Sequence, residues 1–526
     1  MGTLWHNAIF YTMEKEQETV EAVFVENGEI KALGLYDELE KRYRDDILEK
    51  RDLKGGYVYP GFVDSHLHML GHGEKLLRLD LSEIFSSQAM LEKIQKSVHD
   101  DSSWIIGEGW NENNFIDRKI FHREELDTIS NDKPMYLSRI CRHAALVNTE
   151  ALHIAGITKE TANPSGGVIV KDADGEPTGL LLDEAVELVK KHMPKWDPKQ
   201  LSNVLRTSIK DLHRVGLTGG HTEDLSYYGN PLKTLRVFEE VIEHSHEHTF
   251  RAHLLVHHKA LEQLKDDSLN QKRKYVETGA MKFFTDGALG GRTALLSEPY
   301  TDDPSTSGVA IHEQSQVNEL IKYARERGLN IAAHVIGDAA LEMTLNAIEA
   351  HPSLHGRDRL IHVQVLRKDL LERMKNLPLI LDIQPRFVAS DFPWVQERLG
   401  MERLPLSFAW KTLLKEGFMC AGGSDAPIEP ADPLLGIHAA ITRRKPEDGH
   451  QGYNPVERLT AFEAVQLFTA GSAFAISAEQ TRGKIKEGYL ADFTVLSKDI
   501  LTVDPDEILE TNVLYTIIDN KVVYHR

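Results

Sequence analysis

Residues 60–68 read Pro60-Gly61-Phe62-Val63-Asp64-Ser65-His66-Leu67-His68, and how this stretch folds decides the rest. On a strand successive side chains alternate between faces, so His66 and His68 point the same way and can share one metal ion. On a helix, at ~3.6 residues per turn, the same pair would diverge by roughly 200°. The flanking Tyr57, Val58, Tyr59, Phe62 and Val63 are β-branched or aromatic, which favours the strand. A His-x-His pair alone also occurs on ordinary surfaces. Its weight comes from further ligand types at the ends of later strands.

From Gly216 to Asp425 apolar strands alternate with amphipathic helices. The expected strands are Leu217 to His221, Arg251 to Val256, Ala280 to Thr285, Asn330 to His334, Arg359 to Val363, Leu379 to Ile383 and Phe418 to Gly422. Helical spacing marks Leu232 to Glu243, Val317 to Arg327, Leu341 to Ala350 and Leu370 to Lys375. Such alternation implies parallel βαβ units, and with the strand at Phe62 the count reaches the number that closes a (β/α)8 TIM barrel. The fold class is therefore α/β, with the barrel over residues 59–472. Residues about 75–205 break the spacing and read as an insertion after the first strand, on the catalytic face and expected to cover the pocket. Residues 1–58 and 473–526 hold only short strands and turns, too little for two separate cores. Their most economical arrangement is one small composite β-sandwich domain built from both termini.

Composition narrows the function. A formal charge of −20 disfavours nucleic acid and anionic membranes as partners, since phosphate contacts need clustered Lys and Arg. No apolar run approaches the ~18 residues of a membrane span, and the amino-terminal segment lacks the pattern of a secretory signal. Cys141 and Cys420 are the only cysteines, which excludes a disulfide framework and a cysteine zinc site and points to a reducing cytoplasm. The expected partner is a small-molecule substrate, with a homo-oligomer open. The 25 histidines suit a metal enzyme.

Four further residues sit at or just beyond expected strand ends: Lys282 in Gly279-Ala280-Met281-Lys282, His334 after Ala333, His362 after Ile361, and Asp425 in Gly423-Ser424-Asp425-Ala426-Pro427. Singly each has a bland reading; Ser424-Asp425, for instance, would serve as a helix cap. Six suitable residues on five strand ends are hard to assign to packing. The order resembles the amidohydrolase superfamily. Within it the likeness is to the amidohydrolase-3 branch of YtcJ-like proteins and N-substituted formamide deformylases, through residues 60–68, 282–290, 334–340 and 423–427. The resemblance implies that His66, His68 and Asp425 bind one metal and His334 and His362 a second. Lys282 would bridge both after carbamylation, and Asp425 would shuttle the proton. Carbamylation needs a neutral amine, which apolar Met281 and Phe283 favour by desolvation.

The expected reaction is hydrolysis of a non-peptide C–N bond, amide or N-formyl, by hydroxide formed at a divalent metal, zinc first, with one or two ions bound. A deaminase or cyclic-amide hydrolase on the same centre is the nearest alternative. A metal-dependent isomerase or lyase, or a non-catalytic binding barrel, is the alternative from another class. Candidate substrate contacts are Trp110 and His143 in the insertion, His221 at the mouth, Asp286, and Arg292, which would hold a carboxylate or anchor a loop. His257-His258 reads as surface, and Gly290-Gly291 lacks the lysine of a phosphate loop.

Overall fold

The structure is a computed structural model. It describes residues 1–526 apart from 83, 99–102, 113–114, 140–143, 165–166, 246, 265, 270 and 354. His143 and Cys141 therefore lie outside the described residues. The chain divides into two compact units, Met1–His72 with Leu201–Arg526, and Gly73–Gln200.

In the first unit eight strands form one parallel sheet: β1 (Phe62–Leu67), β2 (Leu217–Thr222), β3 (Arg251–His257), β4 (Val276–Phe284), β5 (Ile331–Val335), β6 (Asp358–His362), β7 (Leu379–Ile383) and β8 (Cys420–Gly422). They pair in strict sequence order, each with the next. The ladder stops between β8 and β1, where two backbone bonds beyond the end of β8 bring the edges together. Asp425 N–H donates to His66 O and His68 N–H to Ala426 O, each at 2.7 Å. The barrel is thus joined at the His66–His68 segment and Asp425 themselves.

The intervening helices bury the faces their spacing implies. Gln314–Glu326 turns Val317, Ile321 and Ala324 inward, and a capping box between Glu313 and Gln316 starts it. Pro231–Phe238 is capped by the Asn230 side chain, with Pro231 in the first turn where its missing N–H costs nothing. The last five residues of that predicted helix, Glu239–Glu243, form a π-turn instead. There the Glu243 carboxylate accepts from Tyr275 N (2.6 Å) and Val276 N (2.7 Å) at the start of β4.

The two chain termini share a single eight-stranded sheet. Its long strand Ile47–Pro60 pairs parallel with Gly2–Tyr11 on one side and antiparallel with Phe493–Leu496 on the other, which joins terminal segments far apart in the chain. Trp5, Phe10, Val58, Phe493 and Ile517 bury together against it. The same strand runs through Gly61 straight into β1, so the sheet is anchored to the barrel floor. Phe62 N–H donates to Thr494 Oγ1 (3.0 Å), which donates to Gly216 O (2.7 Å). Arg251 at the start of β3 pairs with Asp492.

Residues 73–200 build a separate six-stranded sheet around their own two apolar clusters. No helix among the described residues is long and apolar enough to cross a membrane.

A second tie across the floor joins Glu277 of β4 to Arg482 and, at 3.6 Å, to His253. Burial alone would raise the Glu277 pKa, but His253 and Arg482 outweigh it and hold the carboxyl at about 2. Between that value and the unperturbed ~4.3, the unfolded chain binds more protons than the folded one, so stability rises with pH across the window. The tie is therefore complete above pH ~4.3 and lost on acidification toward 2. Melting curves of Glu277→Gln should lie about 1–2 °C below wild type at pH 7, the gap closing as pH falls below ~4. A gap independent of pH would contradict this.

Candidate metal centre

The strand reading of residues 60–68 holds, and with it the geometry of the pair. His66 and His68 both turn toward the carboxyl end of the barrel, their ring centroids 5.6 Å apart. Their Nε2 atoms lie 3.4 Å and 3.5 Å from Asp425 Oδ1. One donor atom from each of the three lies within 4.8 Å of the others. His362 stands 5.6 Å from the His66 ring and 4.4 Å from that of His334. Lys282 is fully buried, with Nζ 5.0 Å from the centre of the Phe284 ring and without a hydrogen-bond partner among the described residues. The structure thus brings the six residues into one neighbourhood.

Backbone and second contacts orient each group. Asp425 and His362 take left-handed backbone (φ 57° and 79°), which non-glycine residues adopt at a cost and which gathers at functional sites. His68 Nδ1–H donates to the Glu223 carbonyl (2.7 Å), which turns Nε2 toward Asp425. His362 Nδ1–H donates to Gln384 Oε1 (2.6 Å), leaving Nε2. His334 Nε2–H donates to Gly287 O (3.1 Å), leaving Nδ1. Fixing one imidazole nitrogen by such a bond sets the tautomer a metal ligand needs.

The electrostatics fit a cation. Burial, then the Lys282 charge, holds His66 well below its ordinary value and His334 at about 3. Burial and then His334 do the same to His362. All three imidazoles are neutral, as ligands must be. Burial also disfavours a charged His68, but Asp425 outweighs it and pushes that imidazole up to about 9, a proton a dication would displace. Burial pulls Lys282 down to about 8 against the opposing fields of Glu223, Asp425 and Asp382. A buried amine with no hydrogen-bond partner among the described residues, imidazoles and a carboxylate form a donor set that suits one or two divalent ions.

Asp64 locks this arrangement. Its carboxylate accepts from His66 N (3.0 Å), Ser424 N (3.1 Å) and Ser424 Oγ (2.6 Å), spanning the seam between β1 and β8. Burial pushes it up to about 7 against those bonds. Gly423 is required beside it, since a Cβ there would fall 2.6 Å from His66 N and 2.9 Å from Asp64 Oδ1.

Residues 49–524 match the model of the amidohydrolase family. The chain belongs to that family. It is a hydrolase of carbon–nitrogen bonds. Over its whole length it is 50% identical to the putative amidohydrolase YtcJ of Bacillus subtilis, all of which is covered. It is 26% identical to the N-substituted formamide deformylase of Arthrobacter pascens, covering 99% of this chain and 98% of that one. Among solved structures, an uncharacterized metal-dependent hydrolase from Pyrococcus furiosus superposes with a TM-score of 0.81 at 29% identity, over 95% of this amidohydrolase and 100% of that chain.

The expected substrate contacts are placed differently. Trp110 is buried in the core of its own unit with the indole N–H bound to Leu137 O (2.8 Å), so it packs there and offers no face for stacking. Asp286 is spent on the backbone N–H groups of Leu295, Ile336 and Gly337, which shapes the loops after β4 and β5. Arg292 takes its loop-anchoring role, paired with Asp302 at 2.8 Å. His221 does not face the mouth. Its register partner is His253 near the start of β3, and Arg359 Nη2 lies 3.2 Å from its Nδ1 inside the barrel. His257 and His258 are buried, not surface: β3 carries them to the barrel rim, where His257 lies 5.8 Å from the Phe284 ring.

Sequence reasoning missed Glu223, Gln384 and Tyr227. Glu223 is buried just past β2 and accepts from Ser226 Oγ (2.9 Å), while Tyr227 is half exposed with its ring 5.8 Å from His68. The available signal was the acidic Glu223-Asp224 pair directly after a strand end. Asp64→Asn should keep the fold yet weaken metal binding by about 10–100-fold, measured as zinc retained against a competing chelator. Unchanged retention would remove Asp64 from the account.

Proposed function

We propose that this enzyme hydrolyses an amide or N-formyl bond of a small molecule with one or two divalent ions, zinc first, held by His66, His68, Asp425, His334 and His362. The observation that carries the reading is the convergence of imidazoles and one carboxylate from separate strand ends near a buried Lys282 that has no hydrogen-bond partner among the described residues. Metal dependence is further supported by the likeness to the metal-dependent hydrolase of Pyrococcus furiosus. An N-formyl substrate is supported by the likeness to the formamide deformylase of Arthrobacter pascens. Lys282, pulled down to about 8 by burial, supplies a neutral amine fraction near pH 7, the form that takes up carbon dioxide as a carbamate. The carbamate would be anionic and would link the two halves of the ligand set. Two cysteines in 526 residues support a reducing, cytoplasmic setting.

A bound divalent ion supplies an acidified water and polarises the carbonyl to be attacked. The protein's part is to hold and move protons. The Asp425 carboxylate accepts the proton of the attacking water and returns it to the departing nitrogen, base first and acid second. Glu223 O, Gln384 and Gly287 O keep the three imidazoles in the tautomers that leave their ligand nitrogens free. Phe387, stacked 6.0 Å over His362, and Phe284, 5.0 Å from His334, wall that side with apolar surface and limit bulk water.

Against a panel of N-formyl and N-acyl amines, chelation should abolish turnover and zinc restore it, with equimolar acid and amine as products. Asp425→Asn should lower kcat by roughly 10³-fold or more while retaining much of the metal. Full activity after chelation, or in that variant, would refute the reading.

A further inference from the structure

Every barrel strand but β3 leads into a residue of the metal centre at its carboxyl end, β2 through Glu223, β7 through Gln384 and the rest through the six candidate ligands. β3 ends in His257, a buried imidazole outside that ligand set. Its direction follows from the strand. His253, Leu255 and His257 alternate onto one face of β3, and His253 lies inside the barrel, 5.2 Å from the His221 ring. His257 is also the register partner of Lys282 on β4. Opposed residues of neighbouring strands point to the same face, so the imidazole enters the mouth beside that lysine. The Phe284 ring stands 5.8 Å from His257 and 5.0 Å from His334, so one small substrate lying along it can touch both.

The tautomer is set locally. β3 passes directly into the short helix His258–Leu261, and Lys259 N–H donates to His257 Nδ1 (3.3 Å). Burial, then the neighbouring His258, holds His257 at about 3, so the ring is neutral. With Nδ1 accepting, the single proton of a neutral imidazole sits on Nε2. That N–H meets no acceptor among the described residues. The ring cannot serve as a general base, because its one lone pair is already engaged. A preoriented neutral donor suits an oxyanion contact, which strengthens as charge gathers on a carbonyl oxygen under attack.

We propose that His257 is a further catalytic residue, its Nε2–H donating to the oxygen of the scissile carbonyl. The assignment rests on the proposed amide hydrolysis and goes beyond it by naming the protein group that meets this oxygen. Capping of the short helix is the competing role for the same ring.

Two substitutions separate the roles. His257→Ser keeps a capping oxygen and loses the long donor, whereas His257→Gln loses the cap and places an amide N–H near the position of Nε2. Both are assayed as zinc-loaded enzyme with formanilide as the probe, with zinc content and melting temperature measured alongside. His257→Ser should lower kcat roughly 10²–10³-fold at wild-type zinc content and melting temperature, and His257→Gln should recover much of the loss. Crystals of zinc-loaded Asp425→Asn soaked with formanilide should show the formyl oxygen about 2.7–3.2 Å from His257 Nε2. Wild-type kcat or lost zinc in His257→Ser, a folded His257→Gln as slow as His257→Ser, or a formyl oxygen out of reach of Nε2 would overturn the assignment. A wild-type enzyme that cleaves neither formanilide nor any other N-formyl or N-acyl amine would instead remove amide hydrolysis itself, and this role with it.

Discussion

Everything at the mouth of the barrel depends on the buried carboxylate of Asp64. The ladder of parallel strands runs from β1 to β8 and then stops, so the ends of the sheet must be joined by something other than strand pairing. Asp64 reaches across that gap to the backbone of Ser424 and its hydroxyl while also receiving the N–H of His66. The bonds between Asp425 and His66, and between His68 and Ala426, complete the join. One side chain therefore fixes the separation between the His-x-His strand and the aspartate that must meet it. A buried carboxylate without these donors would be expensive to keep in place.

The candidate ligand set is arranged against ordinary packing logic. Barrel interiors are filled by branched apolar side chains in layers. Here the interior holds a lysine, an Arg359–Asp382 ion pair and the imidazoles of His66, His221, His253, His334 and His362. Ser65 Oγ, Lys282 Nζ, Arg359 Nη1 and Asp382 Oδ1 are all buried without hydrogen-bond partners among the described residues. Such a concentration is costly to folding and is retained where chemistry needs it. Burial and the fields act together: burial, then the Lys282 charge, keeps His66 and His334 neutral, and burial lowers Lys282 against the opposing Glu223 and Asp425 charges. A divalent ion would satisfy the imidazole lone pairs and the carboxylate at once.

The candidate ligand residues were legible because a strand's two-residue period and the position of a strand end are local properties. The alternation of apolar strands with helices, together with the family resemblance of residues 60–68, 282–290, 334–340 and 423–427, was enough to place Lys282, His334, His362 and Asp425 with His66 and His68. Contacts made across the tertiary structure were not legible. Gln384 lies just past β7 and becomes a partner of His362 only once β6 and β7 are in register. His221 looked like a substrate contact at the mouth, but the register of β2 against β3 sets it deeper, beside Arg359. Trp110 shows the limit for aromatic residues: nothing in its neighbours tells a pocket wall from a core, and the structure gives a core. The π-turn at Glu239–Glu243 was hidden because apolar spacing over so few residues does not separate it from an α-helix.

The most direct measurement is an anomalous difference map at the zinc edge, from crystals grown with zinc and bicarbonate. The account predicts a peak within about 2.0–2.2 Å of His66 Nε2, His68 Nε2 and an Asp425 oxygen. A second ion would lie near His334 Nδ1 and His362 Nε2, with added density on Lys282 Nζ. A map with no peak among these residues, or with zinc bound only elsewhere on the protein, would contradict it.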